Sequence, residues 1–423
     1  MPLTEDDLYR TSTQYKYWSF TSAQLATQRE TTNLQATERV KANVARQRAA
    51  RARSQVESAN TSDAGSGVET GGNTPLHLGA EKEVNCLTVA EEKKLVDTFC
   101  ERALELGSFL KFPIDVTATG IQFLRRFYLL NSPMTYEPQT ISRTAMFLAG
   151  KLNNHNVGIE KYVAKFPKVT AEQVLAPEYL LVQGLRFHFQ VRHPFHGLKG
   201  GHLEMMEMAR GNAAPAPHCT ETREELQKAM LALPKHARGN PQPWTVEQME
   251  KRITQAYGFA DKRILKGPAQ LTDAYFLYTP SQIWLAAHLL ADEPLTLFYL
   301  STKAPPTSPL HEKLLATLRA CAALLSAHHT YKPDTLSAAE KEARDKLEKE
   351  QVSALIRKLK HCRDPDKMDL VKLNAAQKRD AVRADGELEE SVAKRRKVQR
   401  EGFEKQADDF WGPELKKEAN GTK

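Results

Sequence analysis

Two stretches of the chain, 142 residues apart, share one pattern: YEPQTISRTAMFLA from Tyr136 to Ala149 and YTPSQIWLAAHLLA from Tyr278 to Ala291. Aligned without gaps, six of the fourteen positions are identical: Tyr136/Tyr278, Pro138/Pro280, Ile141/Ile283, Ala145/Ala287, Leu148/Leu290 and Ala149/Ala291. Proline is tolerated in a first helical turn because the amide it lacks has no partner inside the helix, and the shared apolar residues recur at helical spacing to give one buried face. Two copies of one helical unit, too far apart to be neighbouring solenoid repeats, imply two similar all-helical domains in tandem.

The 423 residues allow two or three domains. The apolar fraction is 41%, and the polar excess sits at the two ends, which leaves the centre enough material for a core. A net charge of +8 and a pI near 9.0 permit an acidic partner or nucleic acid without requiring either. Cys86, Cys100, Cys219, Cys321 and Cys362 are odd in number, widely spaced and free of any CxxC pair, so neither a disulfide framework nor a thiolate metal site is expected, and an intracellular chain is. MPLTEDDLYR lacks the basic start and apolar stretch of a signal peptide, and no apolar run approaches a membrane span, so no membrane partner is expected.

Six segments follow from composition and from helix start signals. Residues 1–56 form an N-terminal extension in which Tyr15, Tyr17, Trp18 and Phe20 precede a T-x-x-Q capping box at Thr21–Gln24 and a long helix; the aromatics are expected to dock that helix. Residues 57–86, rich in Ser, Gly, Asn and Thr, read as a flexible linker. Residues 87–191 hold five helices, begun at Thr88–Glu91, Pro113, Pro138, Ile159 and Thr170–Gln173, the last running through EQVLAPEYLLVQGLRF. Residues 192–331 repeat that order, with starts at Thr245–Gln248, Pro280, Pro294 and Pro309. Residues 332–362 carry a charged helix capped by Ser337–Glu340, and residues 363–423 read as a disordered basic tail. Alternating β-branched runs are missing, so strands are not expected.

The strings LTDAYFLYTPSQI (271–283), RFYLLNSPMTYEP (126–138), FLAGK (147–151) and EYLLVQGLRFHF (178–189) resemble the cyclins, and within them the cyclin H type of the transcription factor IIH kinase module. The likeness covers about residues 15–360. It implies an all-α fold of two tandem five-helix cyclin boxes flanked by N- and C-terminal helices, and a non-catalytic role without cofactor: binding and activating a cyclin-dependent kinase that phosphorylates the RNA polymerase II tail and other kinases. Implied partners are the kinase catalytic subunit, a RING-finger assembly subunit and the TFIIH core, in the nucleus. The resemblance assigns the family's kinase-gripping Lys and Glu to Lys151 and Glu178, with an apolar rim of Leu148, Leu152, Val182, Leu185, Phe187 and Phe189.

Two departures from the family stand out. Asn153 and Asn154 replace the acidic residue that cyclins commonly carry after the Lys, and the first helix, EEKKLVDTFCERAL, lacks the substrate-recruiting patch of cell-cycle cyclins. Elsewhere, His193 with His196, and His328 with His329, show no third ligand nearby in sequence, so no metal is expected. HCRD (361–364) and DFWG (409–412) are chance approximations to kinase motifs lacking the required strand and loop context. Lys394, Arg395, Arg396 and Lys397 read as a nuclear-localisation signal. The alternative function is a cyclin-fold nucleic-acid-binding transcription factor using the arginines between Arg39 and Arg53; without interleaved aromatic stacking residues, nucleic acid is not expected as the direct ligand.

Overall fold

A computed structural model of the chain describes residues 5–62, 84–214, 221–234, 243–331 and 337–376. Those up to Met368 form one compact unit, and those from Asp369 onward belong to a second. Every regular element among the described residues is helical. In chain order they are α1 (Glu5–Thr11), α2 (Thr13–Trp18), α3 (Ser22–Ser62), α4 (Val89–Phe109), α5 (Ile114–Leu130), α6 (Pro138–Leu152), α7 (Ile159–Val163), α8 (Ala171–Leu175) and α9 (Glu178–Gly184). There follow α10 (Phe195–Arg210), α11 (Arg223–Leu231), α12 (Val246–Phe259), a π-helical turn (Ala260–Leu265), α13 (Pro268–Leu271), α14 (Ala274–Leu277), α15 (Pro280–Ala291), α16 (Glu293–Lys303), α17 (Pro309–Ser326) and α18 (Ala338–His361). No helix among the described residues is long and apolar enough to cross a membrane.

The start signals act as their chemistry requires. Reciprocal capping boxes form at Thr21–Gln24, Thr88–Glu91, Thr170–Gln173, Thr245–Gln248 and Ser337–Glu340, each satisfying two amides that have no partner inside the helix. Three expectations need correction. The helix expected from Thr170 is two helices, α8 and α9, because Pro177 has no amide to continue the ladder. Helix α3 runs to Ser62, beyond the boundary placed at residue 56; residues 63–83 of the linker lie outside the described residues. The tail is ordered at its start. Asp364 is buried, its amide donates to the Met134 carbonyl at 2.8 Å and its Oδ1 accepts from Asn43 Nδ2 at 2.9 Å.

Burial explains the duplicated pattern. In α5 every residue from Val116 to Leu129 is buried, so that helix is the axis of the first bundle. Ile141, Ala145 and Ala149 of α6 turn inward, and a Cβ on Gly120 would meet Met146 Sδ at 2.5 Å, so α5 and α6 lie closer than any side chain there would permit. In the second copy Ile283 and Ala287 are buried in a cluster drawn entirely from residues between Leu198 and Leu325. Two of the four N-terminal aromatics dock as expected: Trp18 is buried with Leu25, Leu129 and Phe276, and Phe20 packs against them, whereas Tyr15 and Tyr17 are exposed.

One ion network joins these parts. Arg125, buried on α5, donates to Asp97 Oδ1 of α4 at 2.9 Å, to the Leu271 carbonyl at 3.0 Å and to Asp273 Oδ1 at 2.6 Å. Arg29 of α3 grips both oxygens of Asp273, at 2.7 and 3.0 Å. Burial alone would raise the Asp273 carboxyl, but Arg125 and Arg29 hold it well below the usual range. Removing one member strands a buried charge, so Arg125→Met is expected to lose about 3–5 kcal/mol of stability in urea unfolding. Lys251→Ala, which breaks an exposed, solvent-screened pair with Glu247, should leave the urea midpoint close to that of the wild type.

Glu92 behaves oppositely. It is buried on α4, accepts from Ser132 Oγ, and burial pushes its carboxyl up to about 7. A folded pKa above the unfolded value near 4.3 gives a contribution present in full at low pH and lost as pH rises towards 7. Glu92→Gln, which keeps the acceptor and does not titrate, should therefore gain about 2 kcal/mol relative to wild type between pH 5 and pH 8, read from urea midpoints.

Candidate functional site

Lys151 lies in the last turn of α6 and Glu178 opens α9. Each charge sits at the helix end whose dipole favours it. Lys151 Nζ donates to both Glu178 oxygens, at 2.6 and 2.9 Å, and stands 4.6 Å from the centroid of the Phe147 ring. The helices are held together beneath the pair: Thr144 Oγ1 of α6 donates to the Val174 carbonyl of α8 at 2.8 Å. The pair itself stays at the surface, with 41% of the Lys151 side chain and 23% of that of Glu178 exposed.

The unusual asparagines end the helix. Both the backbone amide and Nδ2 of Asn153 donate to the Ala149 carbonyl, at 3.1 and 2.9 Å. Asn154 adopts a left-handed conformation with φ of +56°, which allows His155 N to reach the Gly150 carbonyl at 2.9 Å. Asparagine is among the few side chains that accept this terminating geometry readily. An acidic residue would also have placed a negative charge at the negative helix end.

The expected apolar rim divides in two. Leu152 and Phe187 are exposed, Phe187 by 59%, while Val182 and Phe189 are half-buried. Leu148 and Leu185 are corrections: at 5% and 0% exposure they are core residues that set the floor of the site and offer no contact surface. Phe187 projects because Arg186 and Phe187 both take positive φ, +53° and +59°, with their amides bound back to Gln183 and Val182 carbonyls at 2.8 and 3.1 Å. Such φ values are uncommon outside glycine and are sustained only by surrounding structure. Two exposed apolar residues were missed, Leu175 and Tyr179. With Glu178 and Val182 they fall at positions i, i+3, i+4 and i+7, a spacing already present in the string EQVLAPEYLLVQGLRF.

The other candidate residues are placed differently. His193 is buried between Thr119 Oγ1 and Tyr275 OH, 3.0 Å from each, and burial, with Arg126 adding, pushes its imidazole down to about 3. His196 is exposed beside it. His328 and His329 lie against Glu101, whose carboxylate is the nearby third group that their spacing in sequence did not reveal. In the basic segment of α3, Val40 is buried, Val44 packs against the same cluster and Arg46 pairs with Asp366, so part of that face is used within the chain. Cys362 and Asp364 of HCRD are packing residues. Lys394 to Lys397 and DFWG lie outside the described residues.

Core and rim roles are separable by stability. Glu178→Ala is expected to change thermal unfolding by no more than about 1 kcal/mol, as for exposed pairs, whereas Leu185→Ala should cost about 3 kcal/mol through a cavity.

Comparisons with known proteins agree with this architecture. The cyclin C-terminal domain model matches residues 193–326. Cyclin CCL1 of Saccharomyces cerevisiae is 30% identical over 310 residues, covering 72% of this chain but 63% of that relative, less than two thirds of its length. Cyclin mcs2 of Schizosaccharomyces pombe is 29% identical over 315 residues, 74% of this chain and 79% of the relative. A chain in the solved structure of the CAK complex of Chaetomium thermophilum bound to ATP-gamma-S superposes with a TM-score of 0.63 at 29% identity, covering 90% of this chain and 96% of that one. The duplicated helical unit, the all-helical architecture and these likenesses together place the chain in the cyclin family.

Proposed function

We propose that this chain is the cyclin H-type regulatory subunit of a nuclear kinase module, binding and activating a cyclin-dependent kinase. Its cyclin boxes would span residues 87–191 and 192–331. The kinase catalytic subunit would dock on the face carrying Lys151 and Glu178, with a RING-finger assembly subunit and the TFIIH core as further partners. The module would phosphorylate the RNA polymerase II tail and the activation loops of other kinases. The chain supplies no chemical group: a preformed helical face holds the kinase's regulatory helix in the position that aligns its catalytic Lys/Glu pair and metal-binding Asp.

One observation carries this reading. A charge pair already made, with both Glu178 oxygens engaged, sits at the surface beside Leu152, Leu175, Tyr179 and Phe187. Large exposed apolar side chains around an oriented polar pair are what a specific protein interface uses: the apolar groups supply affinity and the pair fixes direction. The Lys151 ammonium has three donors and the pair leaves capacity for a partner's backbone carbonyls.

The test is a pull-down and kinase assay with the purified catalytic subunit. Lys151→Ala with Glu178→Ala is expected to weaken association at least about tenfold and to lower activation in parallel, while the thermal midpoint of the isolated chain stays close to wild type. Unchanged association and activity would remove the assignment of this face.

A further inference from the structure

The turn that follows α17 brings His328 and His329 against Glu101 of α4. Glu101 Oε1 lies 3.2 Å from His329 Nε2 and 3.9 Å from His328 Nε2, and the three donor atoms all fall within 4.8 Å of one another. The geometry points to a divalent zinc site in which these three side chains are ligands and water is the fourth.

Several independent features support it. Zinc bonds to imidazole nitrogen and carboxylate oxygen are about 2.0–2.1 Å, so the edge of a tetrahedral site is about 3.3 Å. The two Nε2–Oε1 separations bracket that edge. Two imidazoles with one carboxylate and an open position form a donor set that zinc commonly occupies. Thr330 Oγ1 stands 2.8 Å from His328 Nδ1, and the Thr330 amide donates to the same nitrogen at 3.3 Å; metal binding through Nε2 would place the proton on Nδ1, keep the hydroxyl as its acceptor and break the amide contact.

The surroundings carry charges of both signs. The Glu101 carboxylate lies in the field of Glu348, Asp97 and Glu105, opposed by Lys94. Beside it a cleft of about 630 Å³ between α4 and α18, lined by Glu105, Asp345 and Glu348 and also by Arg102 and Lys349, gives an ion and its water a path from solvent. A bound ion would staple α4 to the turn after α17, joining the helix that opens the first bundle to the end of the second. Its contribution is structural, adding to the Arg125 network on a neighbouring turn of α4.

The test uses the full chain, freed of metal by chelation and titrated with zinc chloride by calorimetry, with elemental analysis after dialysis. One equivalent should bind, and the thermal midpoint should rise on addition. Glu101→Gln, nearly isosteric, and His329→Ala should each weaken binding at least about tenfold and abolish the thermal shift, whereas His196→Ala at an exposed histidine should not. Absence of a saturable equivalent, or equal binding and an equal shift in Glu101→Gln, would overturn the assignment and leave the cluster as an ordinary histidine–carboxylate ion pair. Should His329→Ala fail to fold, the Glu101→Gln comparison decides alone.

Discussion

A guanidinium withdrawn from water must be neutralised where it lies, and Arg125 is neutralised by two carboxylates from different parts of the chain. Asp97 belongs to the first helix of the first bundle, and Asp273 to the turn leading into the second repeat helix. Burial opposes the charge on Arg125, but the facing carboxylates more than restore it and raise its pKa. Because Arg29 binds the far side of Asp273, the long N-terminal helix is drawn into the same lock. Such a network is weak evidence for stability, since desolvation offsets much of the attraction; its clearer consequence is register. Helices α3, α4 and α5 and the 271–273 turn can satisfy these charges in one arrangement, which suits a chain whose proposed work is to hold a fixed surface against a partner.

That surface is built by the same economy of helix ends. Lysine at a C-terminus and glutamate at an N-terminus each gain from the local dipole, so their pairing needs little further support. An exposed pair of this kind contributes little to folding, and the freedom from a structural role leaves it available for recognition. The apolar side chains around it cost solvation in the free chain and return it only when covered. Buried Leu148 and Leu185 keep α6 and α9 from shifting, so the pair and its rim are positioned before any partner arrives.

Much of this was legible in the amino-acid order because it is local. A Thr or Ser followed three residues later by Glu or Gln starts a helix for reasons contained in four residues, and all five such boxes read from sequence formed. The duplicated apolar face was equally visible, since a 3.6-residue period is itself a statement of burial. What was hidden depends on distant partners. Leu148 and Phe187 are both large apolar residues near the pair, and only the packing of α6 and the left-handed turn at Arg186 and Phe187 decide which of them faces water. Asp364 read as the start of a polar tail because its partners, Met134 and Asn43, lie far away in the chain. Glu101 could not be joined to His328 and His329 from spacing for the same reason.

The central claim is that the face formed by the end of α6, α8, α9 and the turn after it is the one covered when a kinase binds. Backbone hydrogen exchange of the chain, alone and with the catalytic subunit, measures this directly without altering a residue. The account predicts slowed exchange confined mainly to residues 147–155 and 175–189, with the basic stretch of α3 from Arg39 to Arg53 unaffected. Slowed exchange elsewhere with those two segments unchanged would contradict it.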